Sequence, residues 1–205
     1  MGYLIFQYHH RVGFSPDALA EEDDGWGEIL APVDEAIEAG NHDAAADRLK
    51  AMLSEYPDDA ITLRQKRHKV LRLTDRDRQL IDNGGTLLGQ LIDANRMREA
   101  TELYIDLTSV DAGLRPGREG DYEPLMQMLV QRGEYRRAVR MVNGFHRDFP
   151  QSAAIPPLYL EVARIFWESL DQPDKARQIA DFLLQRYPDH PVAGARAHCA
   201  RRSPG

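Results

Sequence analysis

The sequence predicts an all-α fold: an array of antiparallel helix hairpins with one inserted helix and a C-terminal capping helix. Three observations carry that expectation. Between Asp121 and His190 one phrase occurs twice: an apolar helix, a turn, a small residue, and an aromatic-proline pair ending twelve positions later. Ala138 to Ala176 and Pro150 to Pro188 are both 38 residues. Self-similarity at a period of about 20 to 50 residues marks helical arrays, whose units cannot bury their apolar faces alone and stack on their neighbours. The phrase returns over Trp26 to Asp59, with Gly40, Ala45 and Pro57 in the same order. Finally, Ala45 to Ala100 is 55 residues, one period of 38 plus 17, which leaves room for one additional helix.

The chain divides into an N-terminal segment, 1–25, and a helical domain, 26–202. Gly2 to Tyr8 is apolar and aromatic, and His9, His10 and Arg11 close it. It lacks the basic start and small-residue cleavage site of a signal peptide. One reading is a short strand or helix packed on the array. Another is the last turn of a membrane helix preceding residue 1, because the membrane interface favours aromatics followed by cations. A metal site at the paired histidines is disfavoured, since adjacent helical side chains point about 100° apart. Ser15-Pro16-Asp17 forms a turn, and Glu21 to Asp24 an acidic linker.

A first helix is expected from Trp26, with Ile29, Val33 and Ile37 at four-residue spacing, ending at Gly40. The second runs through Ala45 to Tyr56-Pro57. The inserted helix is Ala60 to Leu73, the most basic element, with Lys66, Arg67, His68, Lys69 and Arg72 spread round its axis as a solvated face that meets neighbouring carboxylates. Thr74-Asp75 precedes a helix over Arg76 to Ala94. Its internal Asn83-Gly84-Gly85 calls for a kink or for a close helix contact, because each glycine costs about 1 kcal/mol relative to alanine. The run lacks the lysine and serine of a phosphate loop. Asp111 to Gly120, with Gly113, Pro116, Gly117 and Gly120, replaces a closing proline and is the expected mobile loop. Val192 to Arg202 is expected to form the last helix, covering the open end.

Gly40, Asn95, Gly133 and Asp171 stand at the turns, Ala45, Ala100, Ala138 and Ala176 five residues later, and Pro57, Pro150 and Pro188 twelve beyond. This pattern resembles the tetratricopeptide repeat. The physical reasons are plain: Gly and Asn tolerate the left-handed conformation past a helix end, alanine lets two helices approach closely, and proline cannot continue a helix. The chain departs from that family in its longer unit and in Leu88, Met126 and Arg164, which stand where the family has glycine. The resemblance implies an α-α superhelix and a groove lined by the first helix of each hairpin. Carried over residue by residue, the groove positions include Asp34, Glu38, Asp93, Glu123, Glu161 and Glu168, with no lysine or arginine among them.

Composition narrows the function. The chain has 33 acidic and 26 basic side chains, and its formal charge of −7 disfavours nucleic acid as a partner. Cys199 is the single cysteine, so an internal disulfide is excluded. The seven histidines contain no pair four residues apart, and no GxSxG is present. The expectation is a non-catalytic scaffold without cofactor or metal. It would bind a basic or neutral segment of another polypeptide in an acidic groove, in the cytoplasm or on the cytoplasmic face of a bacterial inner membrane; a periplasmic location stays open. The competing expectation is a small-molecule sensor or an enzyme built in the array, which requires a concave pocket with convergent polar groups.

Overall fold

A computed structural model describes residues 26–188. The N-terminal segment with His9 and His10, the acidic linker, the expected closing helix and Cys199 lie outside the described residues. Those described are all-α, with ten α-helices in chain order: α1 Trp26–Glu38, α2 His42–Glu55, α3 Ala60–Leu71, α4 Asp77–Asp93, α5 Met97–Val110, α6 Tyr122–Gln131, α7 Tyr135–Val142, α8 Phe145–Asp148, α9 Ile155–Glu168 and α10 Pro173–Arg186. No strand occurs among them.

The turn residues act as their chemistry requires. Gly40 (φ 73°), Gly133 (φ 74°), Asn95 (φ 57°) and Asp171 (φ 51°) all take the left-handed conformation, and Asn95 and Asp171 are the non-glycine residues that do so among the described ones. That conformation lets a helix end while the next N–H groups turn back onto its last carbonyls. Gly133 and Glu134 donate to Val130 and Leu129 in this way. Each turn releases the chain in the opposite direction, and the alanine five residues on is then buried at the crossing: Ala45, Ala100 and Ala138 are fully buried and Ala176 nearly so. A residue preceding proline is pushed out of the helical region. Tyr56, Phe149 and Tyr187 accordingly end α2, α8 and α10 with φ of −126°, −129° and −135°, each N–H donating to the carbonyl four residues back.

The inserted α3 changes the layering. Gln65 bonds Glu99 and, further along both helices, His68 bonds Asp106, so α3 and α5 run parallel with α4 passing between them. Lys66 reaches Asp34, placing α1 beside α3, while Arg76 at the start of α4 reaches Asp43 and Asp47 at the start of α2. Thus α1, α3 and α5 share one side, and α2 and α4 the other. A single helix, unlike a pair, reverses the direction of every element that follows it.

Two apolar cores result. Val33, Leu49, Leu63, Leu71 and Leu80 anchor the first, and Leu91, Tyr104, Leu107, Leu125, Met126, Phe145 and Ile165 anchor the second. Helix α4 contributes to both. Its glycines resolve in favour of the close contact: the helix is continuous through Gly84, and Leu107 of α5 lies directly against it. Arg67 and His68 are a correction to the solvated face expected of α3, because both are buried. The helix that should have carried Tyr135 through to Phe149 is instead broken at Gly144 (φ 89°) into α7 and α8.

Candidate functional site

The six expected groove residues do not share one surroundings. Asp34 and Glu38 are exposed on α1, in the layer of α3 and α5; Asp93 is exposed at the end of α4, in the other layer. Four of the six carboxylates meet cations. Asp34 pairs with Lys66 at 2.7 Å, Asp93 accepts both of its bonds from Arg118 at 2.8 and 3.0 Å, and Glu161 and Glu168 flank Arg164 on their own helix. The Arg118 fork holds the Asp93 carboxyl below the usual carboxylate range. Glu38 and Glu123 are exposed and form no ion pair among the described residues.

Acidity is concentrated at the first hairpin. From Trp26 to Asp59 the acidic residues are nine (Glu28, Asp34, Glu35, Glu38, Asp43, Asp47, Glu55, Asp58, Asp59) and the basic two (Arg48, Lys50). Arg76 engages Asp43 and Asp47 and Lys66 engages Asp34, whereas Arg48 turns to the carbonyl of Pro32. That leaves Glu28, Glu35 and Glu38 along the open side of α1 without a cation. Glu28 and Glu35 are seven residues apart, two turns along one line of the helix. About 100° round the helix from Glu28, and opposite Glu38, Ile29 is 37% exposed; with Leu73 it is one of two exposed large apolar side chains among the described residues. Its four-residue spacing with Val33 and Ile37 had suggested a core position.

The loop after α5, expected to be mobile, is held at several points. The Tyr104 hydroxyl donates to the carbonyl of Leu114, Arg115 bonds the carbonyl of Asn143 and the carboxylate of Asp148, and Arg118 clamps Asp93, Asp121 and the carbonyl of Gly89. Burial raises the Tyr104 phenol well above its ordinary range and pushes Tyr122 up to about 12. Under the loop lies an open cleft of about 400 Å3 lined in part by Leu114, Arg115, Pro116, Tyr122 and Phe149.

Between α3 and α5, His68 Nε2 lies 2.8 Å from Asp106, with Arg72 at 3.6 Å on the other carboxylate oxygen. The hydrogen bond from His68, aided by Arg72, holds the Asp106 carboxyl below its ordinary value. A carboxylate depressed in the folded state contributes stability that is present above its unfolded pKa, about 3.9, and is lost as pH falls through the folded value. Asp106→Asn is therefore expected to lower the melting temperature at neutral pH and to lower it less at an acidic pH below about 3.9. An equal loss at both pH values would assign the effect to packing.

No helix among the described residues is long and apolar enough to cross a membrane. No protein-family model and no curated protein matches this chain.

Proposed function

We propose that this chain is a non-catalytic interaction scaffold: a divergent tetratricopeptide-like array that binds a basic segment of another polypeptide on the acidic face of its first hairpin. The observation that carries the reading is the exposed set Glu28, Glu35 and Glu38 on α1, with exposed Ile29 about 100° round from Glu28, on a helix that has no cation of its own and whose neighbours Arg48 and Lys66 are engaged by the carbonyl of Pro32 and by Asp34. Carboxylates at a polar rim steer and orient a cationic partner, and an exposed aliphatic side chain gives it an apolar anchor. The left-handed turns and the buried alanines five residues later support the tetratricopeptide-like reading. The groove carboxylates Asp93, Glu161 and Glu168 are already matched by arginines, and Glu123 stands on a later first helix, which favours the α1 face over the rest of the groove. Tyr3 to Tyr8 followed by His9, His10 and Arg11 supports attachment at the cytoplasmic face of a bacterial membrane.

The test uses a fluorescein-labelled peptide of alternating lysine and glycine. Its anisotropy should rise on titration with the protein in about 0.05 M salt and should not rise in about 0.5 M, where the screening length shrinks to a few ångströms. Reversing Glu28, Glu35 and Glu38 to lysine should weaken binding by at least about tenfold. Reversing Asp77, Asp82 and Asp174, which changes net charge equally, should leave most of the affinity. Equal losses in the two triple variants would reduce the effect to net charge and overturn the α1 face as the site.

A further inference from the structure

Two of the four asparagines precede glycine, as Asn83-Gly84 and Asn143-Gly144. Such a pair can react with itself, because glycine has no side chain to obstruct its amide nitrogen as it approaches the asparagine Cγ. The fold treats the two pairs in opposite ways. Asn83 is 2% exposed, its side chain donates to the carbonyl of Arg64 at 3.0 Å and accepts from Arg67 at 3.2 Å, and Gly84 lies inside continuous α4. Its N–H belongs to the helix ladder. Asn143 is exposed at the break between α7 and α8; among the described residues its side chain has no hydrogen bond and the Gly144 N–H has no acceptor. Gly144 is covered by side chains: a Cβ there would stand 2.7 Å from Arg115 Nη1 and 2.9 Å from Arg147 Nη2. The same Arg115 nitrogen donates to the carbonyl of Asn143 at 3.1 Å and pairs with Asp148 at 2.6 Å. That bond holds the peptide plane with ψ 115° at Asn143, which turns the glycine nitrogen away from the asparagine Cβ. Attack requires the plane to turn over, and turning it over breaks the Arg115 bond.

We propose that Asn143 is a self-modification site, converted through a succinimide to aspartate and isoaspartate, and that Arg115 is the catch that sets its rate. The Gly144 nitrogen gives up its proton to hydroxide and attacks the Asn143 Cγ. The Cγ–Nδ2 bond breaks, ammonia leaves, and the succinimide ring closes. Water then opens the ring: breaking the bond from Cγ to the glycine nitrogen gives aspartate, and breaking the bond from the main-chain carbonyl carbon gives isoaspartate. Water is the only co-reactant, and nothing is oxidised or reduced. Release of Arg115 promotes the reaction twice over, since it frees the carbonyl and uncovers the glycine. Isoaspartate carries the main chain through the former side chain, so the left-handed turn gains a methylene, and either product adds a negative charge next to the two guanidiniums.

Incubating the full chain at mildly alkaline pH, folded and in urea, and mapping its peptides by mass spectrometry with electron-transfer fragmentation tests this, because that fragmentation separates isoaspartate from aspartate. In urea the two pairs should react at comparable rates, both being open chain. In the folded protein Asn143 should react at least about a hundredfold faster than Asn83, since Asn83 waits on the opening of α4 and Asn143 only on a loop contact. Arg115→Gln should speed Asn143 by about tenfold, the loss of one hydrogen bond from a charged group. Asn83 staying slow in that variant shows that the fold is intact. Asp148→Asn, which leaves Arg115 in place without its ion pair, should speed Asn143 by a smaller factor and serves if Arg115→Gln unfolds. Arg136→Gln, which removes an exposed cation of α7 outside the elbow, should leave the rate unchanged. The proposal is overturned if Asn143 reacts no faster than Asn83 in the folded chain, if it yields aspartate without isoaspartate, if releasing Arg115 in a folded variant leaves its rate at the parent's, or if Arg136→Gln speeds it as much.

Discussion

Replacing Arg67 with alanine is expected to cost about 3 kcal/mol of stability, read as a shift of the urea midpoint at unchanged slope. Arg67 is 5% exposed, and its guanidinium is shared among neutral acceptors on two other helices: the carbonyl of Ala46 on α2 at 3.1 Å, and Asn83 Oδ1 and Gln79 Oε1 on α4 at 3.2 and 3.0 Å. Asn83 in turn donates to the carbonyl of Arg64, closing the group back onto α3. Burial lowers the Arg67 pKa and the Asp47 carboxylate partly restores it, so the side chain stays charged. Its removal leaves three acceptors without a donor among α2, α3 and α4, each unsatisfied buried group costing about 1 to 3 kcal/mol unless water replaces the donor. Arg67→Lys retains the charge but not the planar fork, and should fall between parent and alanine. A loss below about 1 kcal/mol for Arg67→Ala would mean that water enters and satisfies the group, and that α3 is held mainly by its apolar face.

Which parts of this architecture were legible in the sequence follows from what each feature demands of a residue. A left-handed turn restricts the choice to few side chains, and a close crossing to small ones, so Gly40, Asn95, Gly133 and Asp171 and the four alanines could be placed by counting. The proline that closes a helix is equally restrictive, and Tyr56, Phe149 and Tyr187 share one backbone geometry because each precedes one. Asn143-Gly144 carried the signal of a break, since that dipeptide punctuates helices, but the repeat phrase running from Ala138 to Pro150 masked it. The burial of Arg67 had no local signal, because an arginine on a helix is exposed in most proteins.

The candidate groove was less legible for a different reason. Whether a carboxylate is free depends on what another helix brings to it across a long stretch of chain: Lys66 reaches Asp34 from 32 residues away and Arg118 reaches Asp93 from 25. A register carried over from a regular array assumes two helices per unit, and one inserted helix moves every later first helix to the opposite layer from α1. The charge count of the first hairpin was present in the sequence; the separation of its open carboxylates from those already engaged was not.

Gly84→Val should destabilise by about 3 kcal/mol, whereas Gly85→Ala, one residue away in the same helix, should stabilise by about 0.5 to 1 kcal/mol. At Gly84 a Cβ would stand 2.4 Å from Leu107 Cδ2 and 2.9 Å from Cδ1. Leu107 is fully buried within the second core, so its branched end has no solvent to move into and the helices must separate or the side chain must leave its rotamer. At Gly85 nothing lies within 4 Å and the position is exposed, so an alanine there only reduces the backbone freedom of the unfolded chain. Urea denaturation of both variants, with the double variant Gly84→Val/Leu107→Ala, separates contact from propensity. If the α4 to α5 contact sets the residue at 84, shortening Leu107 should make valine less costly, with a coupling of about 1 kcal/mol or more between the two positions. Additive losses would show that Leu107 already has room to turn aside, and that the glycine is kept for some other reason than the approach of these two helices.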